Sequence, residues 1–273
     1  MNILQAIILG IIQGLTEFLP ISSSAHLVLA PYFLGWKFPA EQVFPFDVLV
    51  QAGTLIAVII YFWNDLWQIL KGWLQALWKR QPFSTPQARL GWFLILASIP
   101  AGLGGLLIKD AVESVFLNPR ATGYFLLLTA ALLVAAELLG KRRREFSQIG
   151  WLDALIIGLF QLISLFPGVS RSGSTIAGGM FRDLDRRSAA RFSFLMSVPV
   201  MLGASLVSLK DLGQTPSLSG FLPIILVGFL AAGVVGYLAI RWLLGFITRH
   251  SLNWFAIYCT LLGFATIIVT YVR

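Results

Sequence analysis

Two short stretches carry residues of the types and spacing for phosphoryl chemistry. In "QGLTEFLPISSSAH", residues 13–26, Gln13 and Glu17 stand four apart, and Pro20 is followed by Ser22, Ser23, Ser24 and His26. In "PGVSRSGST", residues 167–175, Arg171 lies among Gly168, Ser170, Ser172, Gly173, Ser174 and Thr175. Serines after a proline suit a helix start, where unpaired N–H groups favour an anion. Arg171 can grip two phosphate oxygens at once, with Ser22, Ser24, Ser170, Ser172, Gly173, Ser174 and Thr175 expected as further phosphate ligands. Glu17 would repel such an anion unless it ligates a divalent cation or takes a proton from a nucleophile. Gln13 shares a helix face with Glu17, and the pair suits Mg2+ completed by water and substrate phosphate. Ser23 and His26 are spaced to face one cavity if helix follows the proline. The expected catalytic set is Glu17, Ser23, His26 and Arg171, arranged as a phosphohydrolase. Ser23 is the favoured nucleophile, Glu17 or His26 accepts its proton, and direct attack by activated water stays open.

Both stretches interrupt apolar sequence. Of 273 residues 58% are hydrophobic and only 12% charged, and mean hydropathy is +0.83, which excludes an ordinary soluble domain and predicts an all-α integral membrane protein. The first residues lack the basic start of a secretory signal and carry Glu17 where an apolar core should continue. Cys259 is the single cysteine, so an intramolecular disulfide is excluded and any metal needs oxygen or histidine ligands. Apolar runs near 46–62, 90–108, 121–139, 192–209, 221–243 and 252–271 approach the ~20 residues that cross a bilayer. Segments 1–35 and 149–186 are broken by "LPISSS" and "FPGVSRSGS". Irregular backbone at membrane depth survives only where protein or a wet cavity satisfies it, so both are expected as re-entrant helix-loop-helix hairpins.

With six spans and two hairpins, Lys71, Lys79, Arg80, Arg89, the run at 141–144, Arg182, Arg186, Arg187, Arg191, Arg241 and Arg249 fall on one side. Lys37, Lys109, Arg120, Lys210 and Arg273 fall on the other. The basic side is expected to be cytoplasmic and both termini outside. The net charge of +8 thus reads as a topology signal, and no nucleic-acid partner is expected. Trp63, Trp67, Trp73 and Trp78 suggest an amphipathic helix on the cytoplasmic surface.

An internal repeat sets how the stretches meet. "GIIQGLTEFLPISSSAH" at 10–26 matches "GLFQLISLFPGVSRSGS" at 158–174, and "AGLGGLL" at 101–107 matches "AGVVGYL" at 232–238. The chain is therefore one membrane domain, 1–273, of two repeats, 1–145 and 146–273. Each repeat holds a hairpin and three spans, an odd number, so the two must be inverted and their tips can meet at mid-membrane. That architecture also describes transporters and lipid flippases, the competing class. Glu17 with the Ser23 and His26 groups favours hydrolysis, which needs them where anion carriage does not. Each polar group also has a structural reading: Glu17 and Arg171 as a neutralising pair, the serines as caps, His26 as a hydrogen-bonding residue.

The same residues carry a resemblance. Gln13 and Glu17, the following "FLPISSSAH", and "PGVSRSGSTI" at 167–176 resemble the two signatures of the undecaprenyl-diphosphate phosphatase family, also called bacitracin resistance proteins, and the likeness extends through "FDVLVQAG", "GGM" and "FSFLMSVP". The resemblance implies a plasma-membrane enzyme that removes the terminal phosphate of undecaprenyl diphosphate, recycles the carrier lipid for cell-wall synthesis, and confers bacitracin resistance. It implies a divalent cation, an active site opening to the outer face, and roles for Glu17 as catalytic acidic residue, Gln13 as its motif partner, Ser23 and His26 as the reactive pair, and Arg171 as the phosphate-binding arginine. Gln13 is the amide form of a position that is Glu or Gln in the family, which weakens a two-carboxylate metal site. The expected partners are a polyprenyl diphosphate lipid and membrane lipids, with a homodimer as the assembly to consider.

Overall fold

The computed structural model describes residues 1–116, 118–212 and 218–272. Among them the regular structure is helical, with one isolated bridge between Arg144 and Leu184. Helices α1 (Ile3–Phe18) and α2 (Ser23–Leu34) form the first hairpin, and α3 (Ala40–Tyr61), α4 (Trp63–Trp78), α5 (Pro86–Leu107), α6 (Lys109–Phe116) and α7 (Pro119–Leu139) follow. Helices α8 (Trp151–Ile163) and α9 (Arg171–Phe181) form the second hairpin, and α10 (Arg186–Leu212), α11 (Leu218–Phe246) and α12 (Asn253–Val272) complete the chain.

Local sequence sets these boundaries. Asn2 and Gln5 cap α1 reciprocally, and Pro20 ends it because the residue before a proline disfavours helical backbone, as the extended Leu19 shows. Thr85 and Asn118 cap α5 and α7, each with proline in the first turn, where its missing N–H costs nothing.

Among the described residues, five helices are long and apolar enough to cross a membrane: Pro86–Leu107, Pro119–Leu139, Arg186–Leu206, Phe221–Phe246 and Asn253–Val272. The sixth expected span is less regular. Pro45–Tyr61 passes only together with Trp63–Trp78, and the two are bent by 77°. The bend separates the tryptophan-rich segment as its own helix, as its amphipathic pattern predicted. Of the cations expected on the outer side, Arg273 lies outside the described residues, as do the side chains of Lys109 and Lys210.

Small residues let the helices close around the hairpins. Helix α11 packs on α1 and α3, α5 on α8 and α10, and α7 on α12. A Cβ at Gly10 would collide with the Gly228 carbonyl, and one at Gly53 with the Phe229 carbonyl. These are backbone approaches that a larger residue would forbid. The outward faces stay apolar, with Leu106, Leu107 and Leu138 exposed, as expected for a surface solvated by lipid.

Two buried carboxylates staple one end of the bundle. Glu137 accepts from Arg142 (2.7 Å), from Arg186 at both oxygens (2.6 and 2.7 Å) and from the Leu252 N–H (2.8 Å). Asp153 accepts from Arg144 (2.6 and 2.9 Å), Arg182 (2.9 Å) and the Gly150 N–H (2.8 Å). A buried charge is tolerable only when paired this completely. The basic run thus neutralises Glu137 through Arg142, and Arg186 adds a bidentate partner. Both clusters tie the 140–153 segment to the α9–α10 turn and so hold the second hairpin in place.

Candidate functional site

The two hairpin tips touch. In the first, Leu19 is extended and Ser22 takes φ 71°, a left-handed value that a non-glycine residue adopts at a cost of about 1–3 kcal/mol. That turn lets the Ser22 hydroxyl cap α2 by accepting from the Ala25 N–H (3.3 Å). In the second, Gly168 has φ +106°, and a Cβ there would stand 2.7 Å from the Thr122 carbonyl. Ser170 then caps α9 by accepting from the Gly173 N–H (3.0 Å). Ser22 and Ser24 hydroxyls are 3.2 Å apart, and Ser170 and Ser172 hydroxyls 3.1 Å. Each tip also reaches the other's backbone: the Ser172 hydroxyl donates to the Leu19 carbonyl (3.0 Å), and the Gly168 N–H donates to the Ser24 hydroxyl (3.4 Å).

Glu17 is where these contacts converge. Its Oε1 accepts from Arg171 Nη2 at 2.7 Å, and its Oε2 accepts from the Ser23 hydroxyl at 2.7 Å and from Gln13 Nε2 at 2.9 Å. Glu17 and Gln13 are buried, and Ser23 is half-buried. The arrangement places a hydroxyl on a carboxylate within proton-transfer distance, beside a guanidinium that offsets the carboxylate's charge. Arg171 Nη1 is buried with no partner among the described residues, so one side of its fork is left for an anion while the other holds Glu17.

His26 is positioned differently from its expected pairing with Ser23. Its Nδ1 lies 2.7 Å from the Ser22 carbonyl and its Nε2 lies 2.7 Å from the Tyr258 hydroxyl, with the two rings stacked. A carbonyl can only accept, so Nδ1 carries the proton. When the ring is neutral, Nε2 accepts from the Tyr258 hydroxyl. Among the described contacts, the group bonded to the Ser23 hydroxyl is Glu17, and His26 instead links the tip to α12.

The remaining expected ligands divide. Ser24 and Ser172 stand at the junction, with Ser22, Ser170 and Gly173 serving as caps behind them. Ser174 and Thr175 turn into the helix: both donate to the Arg171 carbonyl (3.1 and 2.7 Å), and Thr175 also meets the Ser193 hydroxyl at 2.6 Å. Thr16 donates to the Ile12 carbonyl of its own helix. Two residues absent from the sequence reading complete the geometry. Thr129 on α7 donates to the Gly168 carbonyl (3.2 Å) and accepts from the Ser170 N–H (3.0 Å), which buttons the second tip in place. Tyr258 is the other. The sequence signal for Thr129 is slight, a single threonine in the apolar run that follows Tyr124.

Among the described residues, no three His, Cys, Asp or Glu side chains gather as a metal cluster. The donors present there are the Glu17 carboxylate and Gln13 Oε1, a buried carbonyl oxygen with no partner among the described residues. One carboxylate and one amide oxygen fit a hard cation that takes its other ligands from water and phosphate.

Comparison with known proteins gives this arrangement its context. The model of a family described as bacitracin resistance protein BacA matches residues 6–265. An undecaprenyl-diphosphatase of Methanosphaera stadtmanae is 41% identical over 281 residues, covering 100% of this chain and 99% of that protein. One of Moorella thermoacetica is 42% identical over 273 residues, covering 100% of both chains. One of Nocardioides sp. is 41% identical over 268 residues, covering 98% of this chain and 96% of the other.

Proposed function

The chain belongs to the bacitracin resistance protein BacA family, and we infer that it hydrolyses undecaprenyl diphosphate to undecaprenyl phosphate and inorganic phosphate. It is a multi-pass membrane enzyme whose substrate is a polyprenyl diphosphate lipid. The observation that carries the mechanism is a single carboxylate, Glu17, bonded at once to the hydroxyl of Ser23 and the guanidinium of Arg171 from the opposite hairpin.

The terminal phosphate enters between the tips. The free Nη1 of Arg171 and the first-turn N–H groups of α2 and α9 receive its oxygens, which fixes the phosphorus opposite the Ser23 hydroxyl. Ser23 Oγ attacks in line as its proton passes to Glu17 Oε2, and the bond from the terminal phosphorus to the bridging oxygen breaks. Undecaprenyl phosphate leaves with that oxygen, and water then hydrolyses the phosphoserine. The same carboxylate would also serve direct attack by water, which gives identical products. His26, fixed by Ser22 and Tyr258, supports the tip and the lipid end of the site. Preorganised donors around the buried Glu17 carboxylate stabilise charge without reorganisation as it develops on the phosphoryl group. A divalent cation, Mg2+ by preference, would be held by Glu17 and Gln13 Oε1 and would neutralise diphosphate charge when bound.

Matching contacts in the two halves support an inverted repeat of six spans and two re-entrant hairpins. Ser22 and Ser170 cap their tips alike, and the Ser22–Ser24 pair has its counterpart in Ser170–Ser172. Gly10 against the Gly228 carbonyl corresponds to Gly158 against the Ala97 carbonyl, at the same offsets that relate the sequence repeats. The basic clusters then mark the cytoplasmic side, with both termini and the mouth of the first hairpin on the outer side.

The test is phosphate release from undecaprenyl diphosphate by purified protein in detergent with Mg2+. One phosphate per lipid, with undecaprenyl phosphate as the other product, is expected. Absence of release by folded protein across several divalent metals would overturn the assignment.

A further inference from the structure

A groove of about 670 Å³ runs from the tip of the first hairpin to the turn between α11 and α12. Among the described residues, no Asp, Glu, Lys or Arg lines it. Its walls include Leu15, Leu19, Trp242, Phe246, Trp254 and Tyr258. Trp242, Trp254 and Leu15 are 51%, 64% and 43% exposed, so the groove opens sideways on the apolar surface of the protein.

We propose that this groove holds the first isoprene units of the substrate's tail while the diphosphate sits between the tips. The inference rests on the phosphatase reading and adds where the lipid lies. In a polyprenyl diphosphate the apolar chain begins one ester bond from the phosphate, so an apolar subsite must share a wall with the phosphate site. This one does. Thr16, which precedes Glu17, and Ile21, which precedes Ser22, both line it. His26 stands at the join, bonded to the Ser22 carbonyl behind and the Tyr258 hydroxyl in front. Flat indole and phenol faces suit the planar alkene of each isoprene unit.

The volume falls in the range of small-ligand pockets. It accommodates the first few isoprene units, and the rest of an undecaprenyl chain remains in the bilayer. Chain-length discrimination is therefore confined to those units: undecaprenyl and farnesyl diphosphates are handled alike and isopentenyl diphosphate poorly.

Two measurements test this. A farnesyl diphosphate analogue carrying a photoreactive diazirine in its first isoprene units should label peptides spanning residues 242–258. Labelling confined to other helices would overturn the proposal and leave the groove as a seat for bilayer acyl chains. In turnover assays, Leu15→Trp, which fills the groove, should lower kcat/KM for farnesyl relative to isopentenyl diphosphate by roughly tenfold, the effect of losing burial of about two methylenes. Ile11→Trp, one turn away and outside the groove, should leave that ratio unmoved. An unaltered ratio in Leu15→Trp would overturn the proposal. Wild-type protein that labels within residues 242–258 yet releases phosphate from neither substrate would uphold the groove and strike the phosphatase reading instead.

Discussion

Replacing Glu17 by glutamine separates what this residue does for catalysis from what it does for the fold. The carboxylate accepts from Arg171 and Ser23 at 2.7 Å each and from Gln13 at 2.9 Å. In Glu17→Gln the new carbonyl oxygen can keep facing Arg171, while the new amide N–H groups turn to Ser23 and Gln13. Gln13 can meet them by rotating its amide to present Oε1, the oxygen that has no partner among the described residues. Gln13 then exchanges one unpartnered amide group for the other, and the main loss is the charge assistance of the Arg171 bond, about 1–2 kcal/mol. Glu17→Ala instead leaves a largely buried guanidinium without its counter-charge, at about 3–5 kcal/mol. Catalysis responds in a different order. Neither variant can accept the Ser23 proton, so both should lose a factor of about 10²–10⁴ in kcat, equivalent to about 3–5 kcal/mol on the barrier. The assays are phosphate release and thermal unfolding in detergent. A Glu17→Gln protein that turns over within a few-fold of wild type would refute the proton-acceptor role. Equal destabilisation by the two substitutions would refute the amide rearrangement.

Other expectations follow from particular contacts. Thr129→Val should release the Gly168 carbonyl and the Ser170 N–H together, lowering stability by about 1–3 kcal/mol and reducing turnover, whereas Thr129→Ser should retain both; thermal unfolding beside phosphate release checks it. If the proposed cation is held by Glu17 and Gln13 alone among the described residues, that site is weak and a chelator should abolish phosphate release while Mg2+ restores it; full activity in chelator would remove the metal from the account. Cys259 is buried, so an introduced cysteine is the reactive thiol. A membrane-impermeant maleimide should label Lys37→Cys on intact cells and Arg143→Cys only after permeabilisation, and the reverse pattern would invert the assigned topology.

The two hairpins were legible because proline and clustered serines cannot lie in lipid unsatisfied, so their presence in apolar runs marks broken helices. The meeting of Glu17 and Arg171 was legible for a related reason: two charges at membrane depth need each other. Which of the two expected groups, Glu17 or His26, would hold Ser23 was not. Spacing placed His26 on its helix but said nothing of how the left-handed Ser22 turns the tip, and that turn sets Ser23 against Glu17 and His26 against Tyr258. Thr129 and Tyr258 act across more than thirty residues of sequence, where local pattern carries no information about contact. Ser174 and Thr175 show the opposite error. Their hydroxyls looked like phosphate donors in the motif, but the helical turn after Arg171 directs them to backbone oxygen and α10. The break before α4 was legible, because the tryptophan-rich amphipathic pattern after 46–62 set that segment apart from the span, and the two are bent by 77°.

The central claim is that the two tips form one phosphate-cleaving site, and it is tested most directly by phosphate release from undecaprenyl diphosphate in wild type, Ser23→Ala and Arg171→Ala, each verified as folded by thermal unfolding. The account predicts turnover by wild type and losses of at least about a hundredfold from either tip. Folded Arg171→Ala protein with near wild-type turnover would contradict it, because the second hairpin would then stand outside the chemistry.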